Sequence, residues 1–145
     1  MKLTQHTIAL ETRAAVEATD LTPRLRELVT ESGVRSGYVI VASRHTTCGI
    51  AVNENEPRLI DDIKETLARL VPALAEYRHN DIEARGLPDE PRNAHAHIAA
   101  MLLGNSATVP IAGGALALGT WQSVLFLELD GPRSRTVSVQ IGGDR

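Results

Sequence analysis

The chain is expected to fold as a single α+β domain, and three features of the sequence lead there. Apolar residues recur at helical spacing in three separate segments, within residues 21–31, 59–71 and 94–103. Between and after them lie β-branched runs such as YVIVAS and SVLFLEL, too apolar to be surface loops. The last third is nearly all strand and turn, which favours late hairpins over the parallel crossovers of a doubly wound sheet.

In chain order, Gln5 to Thr12 shows the partial alternation of a half-buried strand. Leu21, Leu25, Leu28 and Val29 then mark a helix from about Thr22 to Glu31, stopped by Gly33. Ser36-Gly37 turns the chain into the central strand YVIVAS, and Gly49 to Val52 forms the next strand. Asn55-Glu56-Pro57 predicts a helix start, with Asn55 as the cap and proline tolerated in the first turn. Leu59, Ile60, Ile63, Leu67, Leu70 and Val71 give that helix one apolar face, ending at Pro72. Residues 76–92 are polar and carry glycine and proline, so a long functional loop is expected. Asn93 caps a third helix, Ala94 to Leu103, halted by Gly104. Strands follow at Ala107 to Ile111, Gln122 to Leu129 and Arg135 to Ile141, separated by Gly113-Gly114 and Asp130-Gly131-Pro132 turns.

At 145 residues the chain makes one domain, 1–145, with no linker, repeat or low-complexity tract. A formal charge of −3 argues against a nucleic-acid partner. No long apolar stretch suggests a membrane span or an export signal, so a cytoplasmic location is expected. The single Cys48 excludes an internal disulfide and fits a reducing compartment. Aromatic residues are only 3% of the chain, so the core must come from Leu, Ile, Val and Ala, with room for subunit contacts.

The chemistry concentrates in polar clusters. His45 in SRHTTCGI, His79 in YRHND, and His95 and His97 in NAHAHIAA lie outside the apolar stripes. A catalytic zinc needs three or four donors with one position left open, and His45, His79 and His97 can supply three imidazoles. His95 and His97 are two residues apart, about 200° around a helix at its 100° step, so both cannot aim at one point. His97 is the better candidate, because His95 sits in the first turn. Hydrogen-bonding histidines at loop ends are the alternative, since no HExxH-type spacing occurs. Glu54, with Asn53 at a strand end, can act as general base or remain a solvated carboxylate. Asp61 and Asp62 favour the helix dipole. Cys48 is a nucleophile if a neighbouring imidazolium lowers its pKa, and otherwise a small packed hydrophobe. Gly119 and Thr120 offer backbone N–H groups and a hydroxyl, Trp121 a stacking face, and Gln122 a bidentate amide. Arg133, after a Gly-Pro turn, suits a phosphate or carboxylate. Neither a Walker sequence nor GxGxxG is present, so no nucleotide cofactor of those types is expected.

The segments HTTCGIAVNENEP, YRHND, NAHAHI, VPIAGGALALGTWQ and DGPR, in this order, resemble the YjbQ family from roughly Gly37 to the C-terminus. Members are described as secondary thiamine-phosphate synthases. The resemblance implies an α+β subunit whose mixed or antiparallel sheet forms a partial barrel with about three helices. It further implies a homotrimer, with a polar site between or beside subunits. The matching positions are His45, Thr46, Asn53, Glu54, Asp62, His79, His97, Gly119 to Gln122, and Arg133. Thiamine-phosphate synthesis joins hydroxymethylpyrimidine pyrophosphate to thiazole phosphate and expels pyrophosphate, so the enzyme must hold two anions and neutralise the leaving group. Magnesium or Arg133 would do the latter, while Trp121 stacks on a ring. The candidate segments hold few cations for that task. A histidine-metal hydrolase, with Glu54 moving the proton, and a non-catalytic metal- or ligand-binding trimer therefore stand beside it as alternatives.

Overall fold

The computed structural model describes residues 1–145. Its elements, in order, are β1 (Lys2–Glu11), β2 (Glu17–Asp20), α1 (Thr22–Ser32), β3 (Ser36–Ser43), β4 (Cys48–Asn53), α2 (Pro57–Leu70), a single 3₁₀ turn (Arg78–Asn80), α3 (Ile82–Arg85), α4 (Ala94–Leu103), β5 (Ser106–Ala112), β6 (Ala115–Leu116), β7 (Ser123–Glu128) and β8 (Ser134–Asp144). The strands form two sheets, ordered β1-β8-β3-β5-β6 and β2-β7-β4, which curl into a half-barrel. Every ladder is antiparallel, so the sheet is not mixed.

The α+β expectation holds, with four helices rather than three. The additional one, α3, lies in the polar segment 76–92. Asp81 caps it by accepting from the Ala84 N–H at 3.1 Å, and Gly86 ends it at φ +67°. One turn carries no hydrophobic periodicity, so the segment read as loop. β2 escaped for a similar reason: its four residues are all half-buried, and only the pairing with β7 makes them a strand.

The core lies between the inner faces of the two sheets. Val39, Val41, Val109, Val137, Val139 and Ile141 from the larger sheet meet Ile50, Val124 and Phe126 from the smaller. Leu21, Leu25, Leu28 and Val29 of α1 close one side, and Gly33 ends that helix at φ +70°. On the other side α4 packs on β4 through small residues, Ala96, Ala99 and Ala100, with Leu129 beneath them. Alanine on this face lets the helix approach closely, which brings its histidines near the sheet.

Two helix caps differ from expectation. The α2 cap is Glu56 rather than Asn55: its carboxylate accepts from the Arg58 and Leu59 N–H groups at 3.0 and 2.7 Å. Glu56→Ala is expected to cost about 1 kcal/mol of stability, the usual effect of losing a cap, measured by urea unfolding. Asn93 does occupy the N-cap of α4, but its side chain makes no cap bond. Asn80 Oδ1 accepts from the Ala94 N–H in its place, at 3.1 Å.

Candidate functional site

The β4–β7 ladder has two ends, and the candidate residues divide between them. Its register runs from Cys48↔Glu128 to Asn53↔Ser123. Five residues at about 3.4 Å each separate those ends by about 17 Å. His45, Thr46, His79, His97 and Arg133 belong to the first end. Asn53, Glu54 and the Gly119–Gln122 turn belong to the second. Within one subunit, Glu54 therefore does not stand beside the His45 turn, because β4 carries it to the far side of the sheet.

At the histidine end, α4 presents His97 while the 3₁₀ turn presents His79. Their rings meet edge to face with centroids 4.9 Å apart. Arg85 of α3 clamps the turn by donating to the His79 carbonyl at 3.0 Å. His45 follows β3, and its Nε2 accepts from the Thr136 N–H at 3.0 Å. His45, Thr46 and His97 line one cavity of about 520 Å³, walled on its apolar side by Ala100 and Met101. No three candidate ligands converge on one point. A metal bound by all three imidazoles would have to draw rings together, or draw His45 Nε2 off the Thr136 amide. His95 is half-buried, with its Nδ1 buried and unpartnered.

Beneath the histidines runs a buried polar network the sequence reading did not assign. Arg135, 6% exposed, donates through Nε to Glu128 Oε2 at 2.7 Å and through Nη2 to Oε1 at 2.6 Å. Glu128 itself is fully buried. Thr12 donates its hydroxyl to Oε2 at 3.0 Å, the Asp130 N–H donates to Oε1 at 2.9 Å, and Arg135 also reaches Thr47 Oγ1 at 2.8 Å. Gly131 fits tightly over this network. A Cβ there would run into the Ala14 carbonyl and the Glu128 side chain. From the surface of the network, Asp130 Oδ2 accepts from Asn93 Nδ2 at 2.8 Å and from Arg133 Nη2 at 3.0 Å. Arg133 is therefore partly committed to Asp130, although it stays 44% exposed. Cys48 is fully buried, and burial, reinforced by the Glu128 charge, pushes its thiol up to about 12. That makes it a packed hydrophobe and removes it as a nucleophile.

Three shifts set the electrostatics. Burial lowers the His45 pKa, and the Arg135 charge lowers it further against Glu128. Burial and the neighbouring His79 lower that of His97, opposed by Asp130 and the Thr46 backbone. Burial works against ionising Glu128, but hydrogen bonds from Arg135, the Asp130 amide and Thr12 outweigh it and hold its carboxyl below the ordinary value. All three have the same sign. A group whose pKa is depressed by folding contributes stability above its unfolded value and loses it as the pH falls through the folded one. Unfolding free energy is expected to drop first below about pH 6.5, as His45 and His97 take up protons. A second drop follows below the ordinary glutamate value of 4.5. Urea titrations from neutral to acid pH measure both, and a flat profile across these windows would contradict the assignment.

At the other end, the turn is organised by Gln122, whose Oε1 accepts from the Gly119 N–H at 2.8 Å. Its amide oxygen is thus used within the turn. Trp121 projects from it, 73% exposed, and with Gln122, Asn53 and Glu54 borders a shallower cavity of about 340 Å³. Thr120 is exposed in the same turn, and Asp62 is exposed on α2.

The chain is thus a single-domain α+β protein, an antiparallel half-barrel with α4 packed on β4. The description "UPF0047 protein YjbQ-like" matches residues 6–144, and the chain belongs to that family. A UPF0047 protein of Methanothermobacter thermautotrophicus is 43% identical over 99% of this chain and 94% of its own. YugU of Bacillus subtilis is 33% identical over 94% and 98%. Among solved structures, a YbjQ-like protein of unknown function from Sulfolobus solfataricus superposes with a TM-score of 0.91 at 33% identity, covering 99% of both chains. A hypothetical protein of Aeropyrum pernix gives 0.87 at 37% identity, covering 97% of this chain and 99% of that one.

Proposed function

We propose that this protein is an enzyme acting on a phosphorylated small molecule, with a divalent ion held at the histidine end of the sheet. The observation that carries the reading is the edge-to-face approach of His79 to His97, with His45 lining the same cavity as His97, above one buried acid–base network. His79 and His97 bring their rings to 4.9 Å between centroids, and zinc is the ion that imidazole donors suit. A bound ion would polarise a phosphoryl oxygen or activate water. The lowered pKa values of His45 and His97 keep those imidazoles neutral near pH 7, so that His97 is available to bind metal or accept a proton, while His45, its Nε2 held by the Thr136 amide, presents a ring N–H. The reading includes assembly as a trimer. Its support is α2, which keeps Leu59, Ile60 and Ile63 only half-covered and buries no residue fully, together with Met101 and Leu102 of α4, 85% and 62% exposed. In a trimer, the Glu54–Trp121 end of one copy can complete the histidine end of another.

Thiamine-phosphate synthesis is the second reading, favoured by the exposed face of Trp121 beside Gln122 and Asn53, a stacking platform for a heteroaromatic ring. Both readings are tested on tag-free protein by elemental mass spectrometry, light scattering and two assays. About one zinc per subunit with phosphate release from small phosphate esters supports the hydrolytic form. Magnesium-dependent pyrophosphate release requiring both thiamine precursors supports the synthase. A metal-free monomer inactive in both assays overturns the proposal.

A further inference from the structure

We propose that Asp130 and Asn93 are positioning residues that fix His79 in one tautomer, while the Thr136 amide fixes His45 in the opposite one. The argument runs through donors and acceptors. An ionised carboxylate only accepts, so Asp130 Oδ2 must face the NH₂ group of Asn93, as it does at 2.8 Å. Arg133 Nη2 at 3.0 Å and its Nε on the Asp130 carbonyl at 2.8 Å hold Asp130 in that place. With Nδ2 committed, Asn93 turns Oδ1 to His79 Nε2 at 3.2 Å. An amide oxygen donates nothing, so Nε2 carries the proton and neutral His79 keeps its lone pair on Nδ1. At His45 the partner is reversed. The Thr136 N–H only donates, so Nε2 at 3.0 Å holds the lone pair and Nδ1 carries the proton.

The two rings therefore meet a ligand with opposite character. His79 offers a lone pair to a cation or an acid, and His45 offers an N–H to an anion. His97 links the two, meeting the His79 ring edge to face and sharing a cavity with His45, so a divalent cation carrying a phosphate or carboxylate oxygen is the ligand class that would satisfy both. This also accounts for Asn93 leaving its cap bond to Asn80: the side chain is needed between Asp130 and His79. Metal-ligating histidines are commonly set in this way by a partner on the other ring nitrogen. The choice of ligand rests on the metal reading above, whereas the tautomers do not.

The test is long-range proton–nitrogen correlation on the full chain labelled with ¹⁵N-histidine, without metal, at about pH 8, above the ordinary histidine range. The expected spectrum shows His79 protonated at Nε2 and His45 at Nδ1. Asp130→Asn lets the Asn93 amide turn over, so His79 becomes a mixture of tautomers while His45 stays unchanged. Cobalt affinity of the same variant falls about 10–100-fold. His79 protonated at Nδ1 in the unaltered protein overturns the proposal, as does an unmoved His79 tautomer in Asp130→Asn. The unaltered protein decides the matter alone if the variant does not fold. Tautomers as assigned with no cobalt binding would uphold the positioning and sink the metal reading.

Discussion

Arg135→Met is expected to lower the unfolding free energy by about 3–5 kcal/mol, the usual consequence of stranding a buried charge. Glu128, at the end of β7 opposite Cys48 of β4, is fully buried, and Arg135 supplies two of its five hydrogen bonds. Methionine fills much of the arginine stem and offers no donor, leaving Thr12, the Asp130 amide and the weak Cys48 thiol to face the carboxylate. Part of the cost is then avoided by protonating Glu128, so the variant should be least impaired in acid. Adding Glu128→Leu to Arg135→Met should recover most of the loss, because removing both charges eliminates the desolvation penalty along with the attraction. Equilibrium urea unfolding of the parent and the two variants measures this. A single Arg135→Met variant within 1 kcal/mol of the parent would show that the pair is solvated in solution.

That network marks the boundary of what the sequence reveals. The helices α1, α2 and α4 and the long strands were legible because their apolar residues repeat at 3.6 or at 2. The same arithmetic contained a signal for Arg135 that went unused. It shares the parity of Val137, Val139 and Ile141 along β8, so it points into the core with them. Glu128 is an acid at the end of the apolar run VLFLE, and an acid in such a run demands a buried partner. Their pairing was not legible, since it depends on how the Asp130–Arg133 turn folds β8 back over β7. The split of the candidate site was hidden for a different reason. Asn53 and Glu54 follow His45 by only eight or nine residues, but an extended β4 turns that short interval into the length of a sheet. His79 and His97 are farther apart in sequence and touch in space, because Asn80 ties the 3₁₀ turn to the start of α4.

The histidines of α4 offer the sharpest functional contrast. His97→Ala should weaken cobalt or zinc binding by more than the roughly 100-fold upper effect of an outer-shell change, because it removes a donor and not merely its support. His95→Ala should leave affinity unchanged within about twofold, since two helical steps aim that ring about 200° away. The two substitutions differ in nothing else that matters to metal: both sit in the first half of the same helix, and both delete one imidazole. His97 is only partly buried, and its loss leaves the alanine face that packs on β4 intact, so the fold should survive. Isothermal titration with cobalt, alongside circular dichroism to confirm folding, makes the comparison. Equal losses in both variants would mean that the ion, if bound, follows the overall histidine content. An unaffected His97→Ala would return His97 to acid–base duty beside His79, and the metal would have to be sought elsewhere.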